Sequence, residues 1–321
     1  MRKALVAAAL GAAAVLSLSV TAQEKINLSI GTGGTGGVYY PLGGGLANLL
    51  SKYVPGMQAS AEVTGGSVDN LKLIASGKPY IGFSMADAGQ DAYRGEDKFT
   101  GAKVAVRTLA VLYPNRMHVV TVEGTGITRM ADMKGKRVST GSPGSATEVM
   151  AFRVLEAAGL DKDKDVRRER LGVAESVNAI KDKKIDAFFW VGGLPTAAVT
   201  DLANTPNVKI KMVDHSEVVA IMNKKYGPLY VSDSIPKETY KGMAADNKIS
   251  TVWNILVSHE KLSDQAAYNV VKTVFEKRDE LVAVHKEAEN ITFDVQKVAN
   301  TPIPFHPGAI RYFREKGVRL E

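Results

Sequence analysis

The stretch "KINLSIGTGGTGGVYYPLGGG", residues 25–45, decides how the rest of the chain is read. "INLSI" alternates weakly and predicts a strand. Glycines follow at once, and "YYPLGGGLANLLSKY" has a helical pattern. Strand, loop and helix are the setting of a dinucleotide site, and Gly31, Gly33 and Gly36 match G-x-G-x-x-G. Two residue patterns argue against that reading. Pro41 stands five residues past Gly36, a place suited to a first helical turn. The acidic residue expected about 20 residues further on is missing, since Glu62 lies 26 beyond Gly36. A P-loop is excluded because no G-K-[ST] follows. What survives is simpler physics. Glycines let backbone approach a ligand closely, and free N–H groups at a helix start attract an anion. Thr32 and Thr35 add hydroxyls, and Tyr39 and Tyr40 are candidate walls.

Outward from this loop, "MRKALVAAALGAAAVLSLSVTAQE" at residues 1–24 has a basic start, an apolar run and small residues Val20 and Ala22 at cleavage spacing. This predicts a Sec signal peptide over residues 1–22, a mature start near Gln23 and a periplasmic protein. The 321 residues contain 45% hydrophobic and 23% charged side chains, a globular composition of about two domains' length. There is no cysteine, which excludes disulfides and thiolate metal sites. The net charge of +7 gathers into no basic stripe of the kind nucleic acid requires. "KDKDVRRER", residues 162–170, interleaves acids and reads as a solvated helix face.

The α/β alternation continues. "QASAEV" and "YIGFSM" are expected strands around an amphipathic helix with Val68, Leu71 and Ile74 on one face. "TLAVLY" and "MHVVTV" read as two strands parted by "PNR", a candidate hinge. A second unit repeats the logic: strand "KRVST", loop "TGSPGSAT", a long helix, then strand "DAFFWV", loop "GGLP", strand "VKIKMV" and a late strand in "ISTVWNILVS". The tail is expected to be largely helical. Ligand-type loops thus occur once per unit, beyond strand C-termini, where α/β sheets bind ligands. Two such units make a cleft that closes by hinge motion, with hinge strands near residues 113–119 and 251–257.

The set "GTGGTGGVYYPLGGGLANLL", "VTGGSVDNLKLIASGKPYIGFSMADAGQDAYRG", "LAVLYP", "DMKGKRVSTGSPGSAT", "IDAFFWVGGLP" and "FHPGAIRYFREKG" resembles the TAXI family of TRAP-transporter solute receptors, in order and across essentially the whole mature chain. The resemblance implies a two-domain type II periplasmic-binding-protein fold with an interdomain cleft. Domain I is expected at 23–116 plus 258–321 and domain II at 117–257. It implies a monomeric receptor without cofactor or metal. Such a receptor hands a small carboxylate, such as glutamate or a related C5 acid, to TRAP permease subunits, with no role for nucleic acid. The ligand positions carried over are Gly33, Gly34 and Tyr39 in the first loop; Thr64, Ser67 and Asn70 in the next; Asp87; Ser142, Ser145 and Thr147; and Phe189, Gly192 and Pro195. Met85 and Ala86 depart from the family's Gln-Ser, and Asn115 from a glutamate after "LYP".

An enzyme is not expected. His118, His215, His259, His285 and His306 form no H-x-x-x-H pair, and no G-x-S-x-G elbow is present. Arg116, near the hinge, reads as a surface charge rather than a carboxylate clamp. A sensor that presents solute to a signalling receptor would use the same fold and is left open by the sequence.

Overall fold

A computed structural model describes residues 25–321 of the chain; the predicted signal peptide lies outside the described residues. The first half-sheet is built by β1 (Ile26–Gly31), α1 (Tyr39–Tyr53), β2 (Met57–Glu62), α2 (Ser67–Ile74), β3 (Tyr80–Met85) and α3 (Ala86–Arg94). A 17-residue strand β4 (Val106–Val122) leaves it. The second half contains β5 (Arg137–Ser139), α4 (Ala146–Ala157), β6 (Arg167–Glu169), α5 (Val173–Lys181), β7 (Ala187–Gly192), α6 (Ala197–Asn204), β8 (Ile210–Met212), α7 (Val219–Tyr226) and β9 (Val231–Ile235). Strand β10 (Asn247–His259) returns to the first half, and α8 (Asp264–Glu276), α9 (Arg278–Val284) and α10 (Pro307–Glu315) close the chain.

The strands run β2-β1-β3-β10-β4-β7-β5-β6, with β8 beside β4 and β9 beside β10. β1 pairs parallel with β2 and β3, and β5 with β6 and β7. Each half therefore shows the same order: three parallel strands, then one antiparallel strand that arrives from elsewhere. In the first half that strand is the C-terminal part of β10 against β3; in the second it is the C-terminal part of β4 against β7. The two long strands pair with each other where they cross between lobes, Thr251 with Arg116 and Val252 with Asn115. This is the expected two-lobed α/β fold.

Burial explains the element choices. α2 buries Val68, Leu71 and Ile74, as its spacing predicts, and α1 buries Leu42, Leu46, Leu49 and Leu50 against the sheet. Cutting Leu71, fully buried, to alanine should cost about 2–5 kcal/mol. Pro41 falls in the first turn of α1, where a missing N–H is tolerated.

Three expectations change. "PNR" does not break the chain into two strands. Pro114 stands opposite Trp253, next to a ladder irregularity between Trp253 and Ile255, so β4 runs through it. "KDKDVRRER" is not a helix: residues 162–166 are turn and bend, and Arg167–Glu169 form β6, an edge strand held by β5 alone. Charges suit an exposed edge, where they oppose further pairing. Arg116 is not a free surface charge but is ion-paired to Asp233 at 2.9 Å and to the buried Glu287 at 3.3 Å.

Candidate functional site

A cavity of about 370 Å³ lies between the two lobes, and the glycine loop forms part of its wall. The first lobe supplies Gly33, Gly34, Tyr39, Thr64 and Ser67; the second supplies Ser142, Ser145 and Thr147. The structure thus brings eight of the thirteen sequence-derived positions to one place. The other five sit elsewhere, each for a visible reason. Asn70 is fully buried behind the loop, donating to the carbonyls of Thr32 and Phe83 at 2.8 Å and accepting from Thr64 Oγ1, so it holds the wall. Asp87 is fully buried against Tyr230, whose hydroxyl donates to it at 2.9 Å. Phe189 is in the core. Gly192 makes room for the Trp190 indole, whose Nε1 and Cε2 a Cβ there would strike. Pro195, exposed, lines a different groove with Arg116. Tyr40, offered as a second wall, is 39% exposed and is not part of the cavity lining.

The glycines divide by task. Gly33 and Gly34 have open space or ordinary contact where a Cβ would stand, Tyr39 Cδ2 at 3.6 Å being the nearest atom to Gly33. They leave room for a ligand. Gly36 and Gly37 instead touch the opposite lobe: a Cβ would come within 3.1 Å of Ala174 and within 2.8 Å of the Trp190 ring. A Cβ on Gly65 would collide with the Pro143 carbonyl. The lobes are stitched along this line by Ser142 Oγ donating to Gly65 O at 3.0 Å and Asp69 N–H donating to Gly144 O at 3.1 Å.

Four helices start at the cavity: α1, α2, α4 and α5. Three of them, capped by Val38, Gly66 and Gly172, have no side-chain cap, so their first-turn N–H groups stay unclaimed by the cap residue. Ser145 caps α4, accepting from Glu148 N–H at 3.1 Å. Converging helix N-termini create a field that favours negative charge. Tyr39 stacks on Phe83 with ring centroids 5.1 Å apart, and its hydroxyl donates to Asn254 Oδ1. Burial holds the phenol well above its ordinary pKa, so it stays neutral.

Sequence reasoning did not place Asn115, Trp190 or Arg170 in the wall. Asn115 had surfaced only as a departure from the family pattern; it is buried in the cavity lining. Trp190 lay unnoticed inside a strand motif; its indole N–H donates to Thr196 Oγ1 at 2.9 Å while the ring crosses to Gly37. Arg170 ends the run that reads as a solvated helix, and it reaches the cavity rim while gripping Glu148 at 2.6 and 3.2 Å. A larger groove, about 870 Å³, lies around Phe152, but its cations are engaged with neighbouring acids, Arg168 with Asp163 at 3.5 Å and Lys98 with Glu148 at 3.8 Å.

Two lobes, crossed by two shared strands and closed over a cavity of helix N-termini, define the fold class of periplasmic solute-binding proteins. The chain belongs to the NMT1-like family, whose profile matches residues 30–317. Solved structures agree on the fold. A protein from Bordetella bronchiseptica RB50 superposes with a TM-score of 0.56 at 17% identity, over 91% of this chain and 98% of that one. The ligand-binding component of an ABC-type import system from Staphylococcus aureus, solved with zinc bound, gives 0.50 at 11% identity, over 92% and 93%. A protein solved with L-arginine bound gives 0.51 at 12%, over 83% and 90%. No helix among the described residues is long and apolar enough to cross a membrane.

Proposed function

We propose that the protein is the periplasmic solute-binding subunit of a TRAP importer of the TAXI type, capturing a small carboxylate and handing it to the membrane permease subunits. One observation carries this reading: four helix N-termini open on a single cavity between two lobes, and the lining holds no lysine and one arginine, already engaged. Such a site binds an anion by backbone N–H groups and dipoles rather than by a point charge. The sequence resemblance to TAXI receptors supports the transporter type, and the import role of the Staphylococcus aureus relative supports a transport partner. Binding rather than catalysis fits the lining, in which no histidine stands among the described residues. The lobes are taken as 23–116 with 258–321 and as 117–257, with residues 1–22 as the export signal and maturation near Gln23. The thirteen sequence-derived ligand positions are retained only where they face the cavity.

The test is a thermal-shift screen of the mature protein with dicarboxylates, oxo acids, amino acids, sugars and polyamines, starting from glutamate and C5 acids. A carboxylate at 100 times its dissociation constant should add about 2.7 kcal/mol of stability. Stabilisation by sugars or polyamines with none by any acid overturns the anion reading, and release of Met1-intact protein into the periplasm overturns the export signal.

A further inference from the structure

We propose that the cavity selects a monocarboxylate that carries an apolar body and a hydroxyl group beside the carboxylate, and that Asn115 reads the hydroxyl while Met85 and Trp190 contact the body. This rests on the receptor reading above and narrows its ligand class.

Three features of the lining converge. The first is charge. Only Arg170 and Glu175 among the lining residues are charged. Arg170 is bound to Glu148. Glu175 is exposed, and its carboxylate lies against Gly172 at the start of its own helix. No buried carboxylate lines the cavity to meet an ammonium group, which would also sit in the unfavourable field of the helix N-termini. An amino acid brings a buried cation with no partner, a costly burial.

The second is an orphaned acceptor. Asn115 is 1% exposed, lines the cavity, and its Oδ1 has no hydrogen-bond partner. A buried acceptor left unmade is expensive, so a ligand that supplies a donor there is favoured. With positive charge disfavoured, a hydroxyl is the neutral donor that fits. An oxo group offers only acceptors and leaves Oδ1 unmade.

The third is the apolar wall. Met85, Leu171, Val173, Val191 and Trp190 line the cavity, and the Met85 thioether is 2% exposed. These groups give nothing to a second carboxylate, whose burial among them would cost free energy without compensating bonds. They suit an aliphatic or aromatic body.

The experiment uses compounds that share one skeleton and differ at one group, measured by calorimetry on the mature protein: 2-hydroxy-4-methylpentanoate, 4-methyl-2-oxopentanoate and leucine, with 2-hydroxyglutarate as the dicarboxylate. The hydroxy acid should bind tightest, with the oxo acid, leucine and 2-hydroxyglutarate each at least about tenfold weaker, a difference of about 1.4 kcal/mol. Asn115→Leu should erase the preference for hydroxy over oxo acid; a merely structural role would weaken both equally. Met85→Gln should narrow the gap between 2-hydroxy-4-methylpentanoate and 2-hydroxyglutarate. Tighter binding of leucine or of 2-hydroxyglutarate by the parent protein overturns the proposal and leaves the receptor reading intact. If none of the four binds while another anion stabilises the protein, the proposal also falls alone; if no anion of any kind binds, both fall.

Discussion

At the scale of single residues, the glycine loop shows how one residue type serves opposed needs. Gly33 lacks a Cβ because a ligand needs the space, and Gly36 because the other lobe does. Substitution separates them. Gly33→Val adds its side chain toward the cavity, where the protein itself offers only ordinary contact. The variant should fold with an unchanged melting temperature and lose ligand affinity by more than about tenfold, about 1.4 kcal/mol, in calorimetry. Ser145→Ala behaves differently. Its hydroxyl is committed at both ends, donating to Ser142 O at 2.7 Å and accepting from Glu148 N–H, so it works as a helix cap. Its loss should lower stability by about 1 kcal/mol in urea unfolding, with a smaller effect on ligand affinity. An affinity loss without a stability loss would make Ser145 a direct ligand contact instead.

At the scale of elements, β10 depends on a histidine that must stay neutral. His215, fully buried, donates from Nδ1 to Val213 O at 2.9 Å and accepts at Nε2 from Ser250 N–H at 3.2 Å. Protonation would destroy the second bond. Burial pushes this imidazole down to about 4, and that of His118 to about 4 as well. A depressed histidine pKa means that stability is fully present above the ordinary value near 6.5 and is lost as pH falls toward 4. Between pH 7 and 5 each histidine should cost about 2 kcal/mol. Asp91 opposes this: burial pushes its carboxyl up to about 6, so its contribution is present at low pH and lost as pH rises through 6. Urea unfolding at the two pH values should therefore show His215→Gln about 2 kcal/mol less sensitive to acid than the parent protein. An unchanged pH slope in that variant would mean that His215 titrates normally. Element boundaries show the same dependence on surroundings. The strand β6 is three residues of charge with no alternation of polarity, and only its pairing with β5 makes it a strand.

For the molecule as a whole, the decisive contacts are those between lobes. Arg153 on α4 bonds Asp91 on α3 at 2.6 Å and Tyr230 Oη at 2.8 Å, while Tyr230 reaches Asp87. The pair is almost wholly buried. Removing one partner of a buried ion pair strands the other, so Arg153→Ala should cost about 3–5 kcal/mol. Closure itself is tested at Gly65, where any side chain meets the Pro143 carbonyl of the opposite lobe. Gly65→Val should hold the lobes apart, giving a larger radius of gyration in solution scattering with ligand present and weaker binding. A parent-like radius and affinity would show that the lobes close along a different line.

Much of this protein is written in local pattern. β1, α1 and α2 follow from alternation, helical spacing and glycine punctuation, because each buries one face whatever its neighbours are. The candidate loops were legible for the same reason: small residues between a strand and a helix have few other uses. Tertiary structure decided the rest. Asn70 and Ser67 lie three residues apart on one helix, yet one faces the cavity and the other the loop backbone, a matter of helix rotation against the sheet. Asp87 stands at the start of α3 but turns to Arg153 and Tyr230, partners 66 and 143 residues away in sequence. Arg170 enters the site only because an edge strand carries it there. The strand hidden in "PNR" runs on because the ladder with β10 is irregular beside Pro114, where a missing N–H is tolerated. Local sequence sets which elements can form, since propensity and periodicity act over a few residues; which side chains share a cavity depends on contacts between residues far apart in the chain, and those exist only once the lobes have packed.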